Sequence, residues 1–238
     1  MKILIIRHAD PDNDNNTLTN IGFEEAKVLS DYLKDYHFDE VYTSDYARAK
    51  LTCDEVMKYH DNEVNIVSWL REFDTRVCIP NGQENNMTWD IYPDYYTKLD
   101  DFYDKDKYLD LPFLKDVKEK YQEVINKFDE VLEKNGYQRD GMVYKVKKEN
   151  TKTIVLFCHF GVMCVLMSHL MNIPYSLLAC TTCCPPTGIT TFITEERKEG
   201  IAGYRMNGFG DVSHLRMANM QPSFHARFCE IFHSNDRH

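Results

Sequence analysis

The sequence predicts an α/β protein: a three-layer α/β/α sandwich with a mostly parallel central sheet and an aromatic-rich insertion acting as a cap. Three observations predict it. Two short, continuous apolar runs, KILIIR over Lys2–Arg7 and TIVLFC over Thr153–Cys158, read as strands buried on both faces. Strand-like runs alternate with segments of helical spacing along the chain. From about 73 to 113, aromatic and acidic residues replace any clear period. With 238 residues, 43 % of them hydrophobic, the chain can build one sizeable core and is too apolar to be disordered.

Lys2–Arg7 is the first buried strand, and a polar Asn/Asp-rich loop follows it from Asp10 to Asn16. Thr19 is placed to cap a helix, with Glu24 and Glu25 near its start. Gly22, Ala26, Leu29 and Leu33 keep helical spacing to about Lys34. Val41–Thr43 reads as a second strand, after which Ser44 or Asp45 is expected to cap a helix carrying Ala49, Thr52, Cys53 and Val56 on one face. Val64 to Trp69 reads as a third strand. The stretch from Phe73 to about Leu111, with Trp89, Tyr92, Tyr95, Tyr96, Phe102 and Tyr108, is expected to be an insertion or cap rather than part of the sheet. Helical spacing returns over Leu114 to Glu133. Thr153–Cys158 is the second buried strand, and Gly161 to Met171 an apolar helix ended by Asn172-Ile173-Pro174. Thr190 to Thr194 and Gly203 to Met206 read as further strands.

The formal net charge of −10 argues against nucleic acid or an anionic membrane as partner. No apolar run is long enough for a signal peptide or a membrane span, so a cytoplasmic location with reduced thiols is expected for the eight cysteines.

Arg7-His8 and His159 each follow a buried strand, where open α/β sheets place their ligands. A helix begins beside Gly161, and its free N–H groups suit an anion. Arg48 starts the helix after another strand, and Glu72 follows a fourth strand-like run. Each has an ordinary explanation alone: a histidine after a strand is commonly polar rim, and an arginine in a first helical turn commonly forms a surface ion pair. Joint placement at successive strand ends makes them one candidate site, in which two arginines and two imidazoles gather positive charge on an acidic protein.

These residues resemble the histidine phosphatase, or phosphoglycerate mutase-like, superfamily. Its strand ending in R-H-G appears as Arg7-His8-Ala9, and its L-T-x-x-G-x-x-Q-A as Leu18-Thr19-Asn20-Ile21-Gly22-Phe23-Glu24-Glu25-Ala26. S-x-x-x-R-A-x-x-T appears as Ser44 to Thr52, L-R-E as Leu70-Arg71-Glu72, and S-H-G-G-V as Cys158-His159-Phe160-Gly161-Val162. Five ordered motifs between Lys2 and Met171 are specific together; any one alone would be weak. The resemblance implies a single histidine-phosphatase domain over 1–238 with the insertion at about 73–113. It implies phosphomonoester hydrolysis of a small phosphorylated metabolite, without metal or other cofactor. His8 is then the nucleophile, its other nitrogen held by a backbone carbonyl. Arg7, Arg48 and His159 bind phosphate oxygens, and Glu72 is the proton donor and later the base. Phe160, standing where the family has glycine, is expected at the phosphate site, narrowing it or stacking on substrate. A phosphoglycerate mutase is the alternative enzyme, though the S-x-W-N loop typical of mutases is missing after Ala9. A phospho-ligand sensor is the alternative outside catalysis; His8 with Glu72 argues against it. Oligomeric state is left open, a homodimer included.

Cys158 lacks an arginine six positions on, where Cys164 stands, which excludes cysteine-phosphatase chemistry. Cys180, Cys183 and Cys184 have a zinc-like C-x-x-C spacing without a second ligand pair and are expected to be loop thiols. His214 is expected to be structural, and His233 and His238 to lie in a tail.

Overall fold

A computed structural model describes residues 1–79, 83–225 and Ile231; His233, His238 and Cys229 lie outside the described residues. In chain order the elements are β1 (Lys2–Arg7), β2 (Pro11–Asp12), β3 (Thr17–Leu18), α1 (Asn20–Leu33), β4 (Glu40–Ser44), α2 (Ala47–Val56) and β5 (Val64–Val67). Then come β6 (Arg76–Ile79), β7 (Gln83–Met87), α3 (Pro93–Tyr96), α4 (Lys115–Lys134), β8 (Tyr137–Asp140) and β9 (Val143–Val146). The chain continues through β10 (Thr153–Cys158), α5 (Phe160–Met171), α6 (Tyr175–Thr181), β11 (Ile189–Lys198), β12 (Ile201–Asp211) and α7 (Ser213–Met217). No described helix is long and apolar enough to cross a membrane.

The eight-stranded sheet has the order β5-β4-β10-β1-β11-β12-β9-β8. Its first four strands are mutually parallel, and every pairing from β1 onward to β8 is antiparallel. The sheet is therefore mixed, with the parallel half as expected and the antiparallel half larger than expected. The two expected short strands after Pro174 extend into the long β11–β12 hairpin.

Alternation along the central strands explains their unbroken apolar runs. Ile3, Ile5, Ile154 and Leu156 face one buried cluster with α4 and α5 residues such as Phe128 and Leu166. Leu4, Ile6, Val155 and Phe157 face the opposite cluster with Leu29 and Leu33 of α1 and Val56 of α2. Both faces are covered, so polar alternation is absent and the period-2 signal disappears.

The insertion contains a feature the sequence reading lacked: β6 and β7 form a separate antiparallel pair. Its aromatic side chains build no satellite core. Ile91, Tyr96, Phe102 and Tyr108 are buried in the same cluster as Tyr121 and Phe128 of α4. Val64 to Trp69 also differs, since the strand stops at Val67 and a 3-10 turn spans Ser68–Leu70. The β8–β9 hairpin was missed although Asp140-Gly141 marks it. Gly141 occupies the first of two loop positions at φ +62°, which glycine adopts without strain.

Thr19 caps α1 as expected, its Oγ1 accepting from Gly22 N at 3.0 Å. Neither Ser44 nor Asp45 caps α2; the cap position is Tyr46, with no side-chain bond, because Ser44 is drawn into the site instead. Gly22 is where α1 meets the loop after β1. A Cβ there would stand 2.2 Å from the Asp10 carbonyl oxygen. Gly22→Ala is expected to destabilise the fold by about 3 kcal/mol through overpacking against backbone, and Thr19→Ala by about 1 kcal/mol through loss of the cap. Urea denaturation monitored by circular dichroism reads both, and equal midpoints for Gly22→Ala and the parent protein would refute the first.

Candidate active site

Adjacent parallel strands bring the site together. The β1–β10 register sets Arg7 opposite Cys158, so His8 and His159 leave the sheet side by side. Their ring centroids are 5.0 Å apart. β4 lies on the other side of β10 and delivers Ser44 and then Arg48. The turn after β5 delivers Glu72. Arg7, His8, Arg48, Glu72 and His159 thus meet at the carboxyl ends of four neighbouring strands, as the sequence predicts.

The hydrogen bonds assign a tautomer to each imidazole. His8 Nδ1 is 2.7 Å from the Ala9 carbonyl, which can only accept, so Nδ1 carries the proton. His8 Nε2 then presents a lone pair, 3.2 Å from the donating Arg48 Nε. The same Nε donates to His159 Nδ1 at 3.1 Å, so the His159 proton is on Nε2, which donates to Ser44 Oγ at 3.0 Å. Desolvation pushes both imidazoles well below the usual histidine range; next come His159 and the arginines for His8, and Arg48 and Arg7 for His159. The sequence expectation of four positive groups is corrected accordingly: the imidazoles are neutral, and the two arginines alone supply the positive field.

Tyr46 holds Arg48 from below, with the guanidinium carbon 5.1 Å from its ring centroid, and meets His159 edge-on at 5.3 Å. Thr52 Oγ1 accepts from Ala9 N at 2.9 Å and donates to the Arg48 carbonyl at 2.8 Å, tying α2 to the turn that carries His8. Ser44, Tyr46 and Thr52 were missed as site residues; the motif from Ser44 to Thr52 was their only sequence signal.

Glu72 takes the place expected for a bound anion at the start of α5. Its Oε1 accepts from Gly161 N at 2.8 Å and Phe73 N at 2.9 Å. Burial nonetheless dominates and raises its pKa, against the lowering by Arg7, the two N–H groups and Arg48. Gly161 permits this contact, since a Cβ there would stand 2.8 Å from Glu72 Oε1 and 2.9 Å from Trp89 Cζ3. Phe160 is 6 % exposed and turns its ring into the core, with Trp89 6.1 Å away. Its backbone opens the first turn of α5.

Arg7 is held by carbonyls: Nη1 donates to Cys184 at 2.5 Å and Nη2 to His225 at 2.9 Å, while Nε is buried with no protein partner. This gives the Cys180–Cys184 segment its role in the site, through a backbone oxygen rather than a thiol. None of the seven described cysteines forms a disulfide, and no metal-holding group of His, Cys, Asp and Glu occurs among the described residues. His214 stands behind the site. Its Nε2 lies 2.9 Å from Thr187 Oγ1, and Thr187 N donates to the carbonyls of Arg7 and His8. Burial lowers its pKa to about 4.

The sequence profile of the histidine phosphatase superfamily (branch 1) matches residues 3–207. The chain belongs to this family. Its activity is that of a histidine-type phosphatase. Solved structures agree on the fold. Phosphoserine phosphatase from Entamoeba histolytica, bound to phosphoserine, is 21 % identical, with TM-score 0.55 over 90 % of this chain and 98 % of that one. Its complex with 3-phosphoglyceric acid gives 19 % identity and TM-score 0.57 over the same shares. A mycobacterial glucosyl-3-phosphoglycerate phosphatase is 14 % identical, with TM-score 0.54 over 87 % of this chain and 97 % of that one. No curated protein matches the sequence.

The neutral imidazoles have a pH signature. A histidine whose folded pKa is lowered leaves the unfolded chain holding more protons, so stability falls as pH drops below about 6.5. Nitrogen-15 spectra of the phosphatase at pH 6 should show His8 and His159 as neutral imidazoles. Imidazolium signals from His8 at that pH would contradict the assigned neutral state.

Proposed function

We propose that this phosphatase works by two in-line phosphoryl transfers through a phosphohistidine on His8. One observation carries the reading: with Nδ1–H bound to Ala9, the His8 Nε2 lone pair is presented beside Arg48. In the first transfer Nε2 bonds to phosphorus as the ester P–O bond breaks. Glu72 gives its proton to the departing oxygen, releasing the alcohol. Both known donors to Glu72 meet Oε1, which leaves Oε2 to carry that proton. In the second transfer Glu72 takes a proton from water, the water oxygen bonds to phosphorus and the P–Nε2 bond breaks. Inorganic phosphate leaves, and His8 and Glu72 return to their starting states.

Arg7 Nε and Arg48 hold the equatorial oxygens, and the arriving phosphate takes the Arg48 N–H that the imidazoles otherwise share. His159 binds a further oxygen through Nδ1 once protonated by the dianion's field; Ser44 keeps its ring in place. The Phe160 side chain, buried in the core, has no part in this scheme.

The leaving group is assigned to a cavity of about 230 Å³ beside Glu72, lined by Tyr46, Trp69, Arg71, Lys120 and Glu123. Residues 73–113 cap this side, as supported by Trp89 against Gly161 and by Phe73 under Lys120. The cations there suit a leaving group that bears its own anionic group, as phosphoserine in the Entamoeba histolytica complex does. The cytoplasmic location belongs to this reading, with the described thiols outside disulfides in its favour. So does treating 1–238 as one domain.

His8→Ala is expected to abolish phosphate release from p-nitrophenyl phosphate, while EDTA changes nothing. Rapid quenching of the parent enzyme should trap acid-labile, base-stable phosphate on the protein. Full turnover by His8→Ala would sink the mechanism, and isomer interconversion without phosphate release would select a mutase. Glu72→Gln should slow alkyl phosphates by about 10²- to 10⁴-fold and p-nitrophenyl phosphate far less, because p-nitrophenolate leaves without a proton. Equal losses on both substrates, measured as kcat, would remove Glu72 as the acid.

A further inference from the structure

The segment Gln221–His225 passes across the mouth of the site after α7. Two hydrogen bonds and one close histidine–carboxylate contact hold it there. Ser223 N donates to Glu25 Oε1 at 2.9 Å, His225 Nδ1 lies 3.0 Å from Asp10 Oδ1, and the His225 carbonyl accepts from Arg7 Nη2 at 2.9 Å. The anchors on the other side are themselves joined. Glu25 Oε2 accepts from Asp10 N at 2.9 Å, and Asp10 Oδ2 accepts from Thr19 Oγ1 at 2.7 Å. Glu25 therefore bridges the turn after β1 and the segment beyond α7, one carboxylate oxygen to each.

Glu25 stands where the family pattern has glutamine. A glutamine offers one acceptor oxygen, and its amide nitrogen would oppose the Ser223 N–H donor to donor. A carboxylate accepts on both sides. It is fully buried, a placement that is costly for a carboxylate unless its oxygens are satisfied. The two backbone N–H groups satisfy them.

The segment also finishes the Arg7 clamp. Cys184 and His225 carbonyls hold Nη1 and Nη2, so the guanidinium plane is fixed from two directions and the unpartnered Nε has one orientation. We propose that Gln221–His225 is a strap, fastened by Glu25 and Asp10, whose His225 carbonyl seats Arg7 for phosphate binding. Glu25 and His225 are then positioning residues for the reaction. This rests on the reading of Arg7 as a phosphate ligand.

The test uses the full chain as parent, Glu25→Gln and His225→Ala. Calorimetry measures the Kd of inorganic phosphate, hydrogen exchange reads the amides of Gln221, Ser223, Phe224 and His225, and p-nitrophenyl phosphate kinetics separates KM from kcat. Both variants should exchange faster in the strap and bind phosphate about three- to tenfold more weakly, with KM rising more than kcat falls. His225 is half-exposed, so His225→Ala carries the test should Glu25→Gln fail to fold. Unchanged exchange in the strap, or unchanged phosphate affinity, overturns the proposal. Tighter phosphate binding in the variants overturns it too, since the strap would then compete for Arg7 rather than seat it. A parent protein that binds phosphate but hydrolyses nothing would refute the catalytic reading and leave the strap to be judged by affinity and exchange.

Discussion

Parallel pairing of β1 with β10, in the register that sets Arg7 opposite Cys158, is the constraint on which the site depends. It puts two histidines from distant parts of the chain on neighbouring strand ends, where their rings meet at 5.0 Å. Both strands are apolar on both faces and locked between helix layers, so slippage would expose a whole face of isoleucine, valine and leucine. The hydrophobic core thereby sets the position of a polar site. Arg48 uses that precision, because one Nε–H serves two imidazoles only if both present a lone pair at about 3 Å.

Neutrality of those imidazoles follows from the same closeness. Two imidazolium ions at this separation, desolvated and beside two guanidinium groups, would repel each other and their neighbours. The site therefore shows an incoming phosphate two permanent cations and two neutral rings. Positive charge comes from residues that never titrate, while the rings keep the lone pairs that chemistry and hydrogen bonding need. An overall charge of −10 is compatible with this arrangement because a few desolvated groups dominate the local field.

The parallel half of the sheet, the α1 cap and the meeting of Arg7, His8, Arg48, Glu72 and His159 at the strand ends were legible because their signals are local: short apolar runs, Thr19 before a helical period, and motifs at strand ends. What was illegible depends on distant partners. Ser44 reads as a helix cap until β10 brings His159 to it, and nothing local singles out Tyr46, whose ring meets the Arg48 guanidinium. Phe160 reads as a pocket residue because it follows His159, yet the first turn of α5 points its ring inward. The antiparallel half was shortened for a related reason. Polar residues of β11 and β12 such as Glu195 and Arg205 pair with each other on the exposed end of the hairpin, which masks the strand period in the sequence.

Glu72 shows how the site divides its labour. A helix N-terminus is the usual place to bind phosphate, yet here the start of α5 holds a carboxylate. If phosphate took that place, Glu72 would lose the N–H groups that aim it. With Glu72 there, both backbone donors aim Oε1, and the proposed scheme gives the proton to Oε2. Burial already raises the Glu72 pKa, and a bound dianion would raise it further by adding negative charge nearby. In the proposed mechanism, substrate binding would thus promote protonation of the group that delivers the proton. Departure of phosphate would remove that charge only after the second proposed transfer, when Glu72 has regained its proton from water.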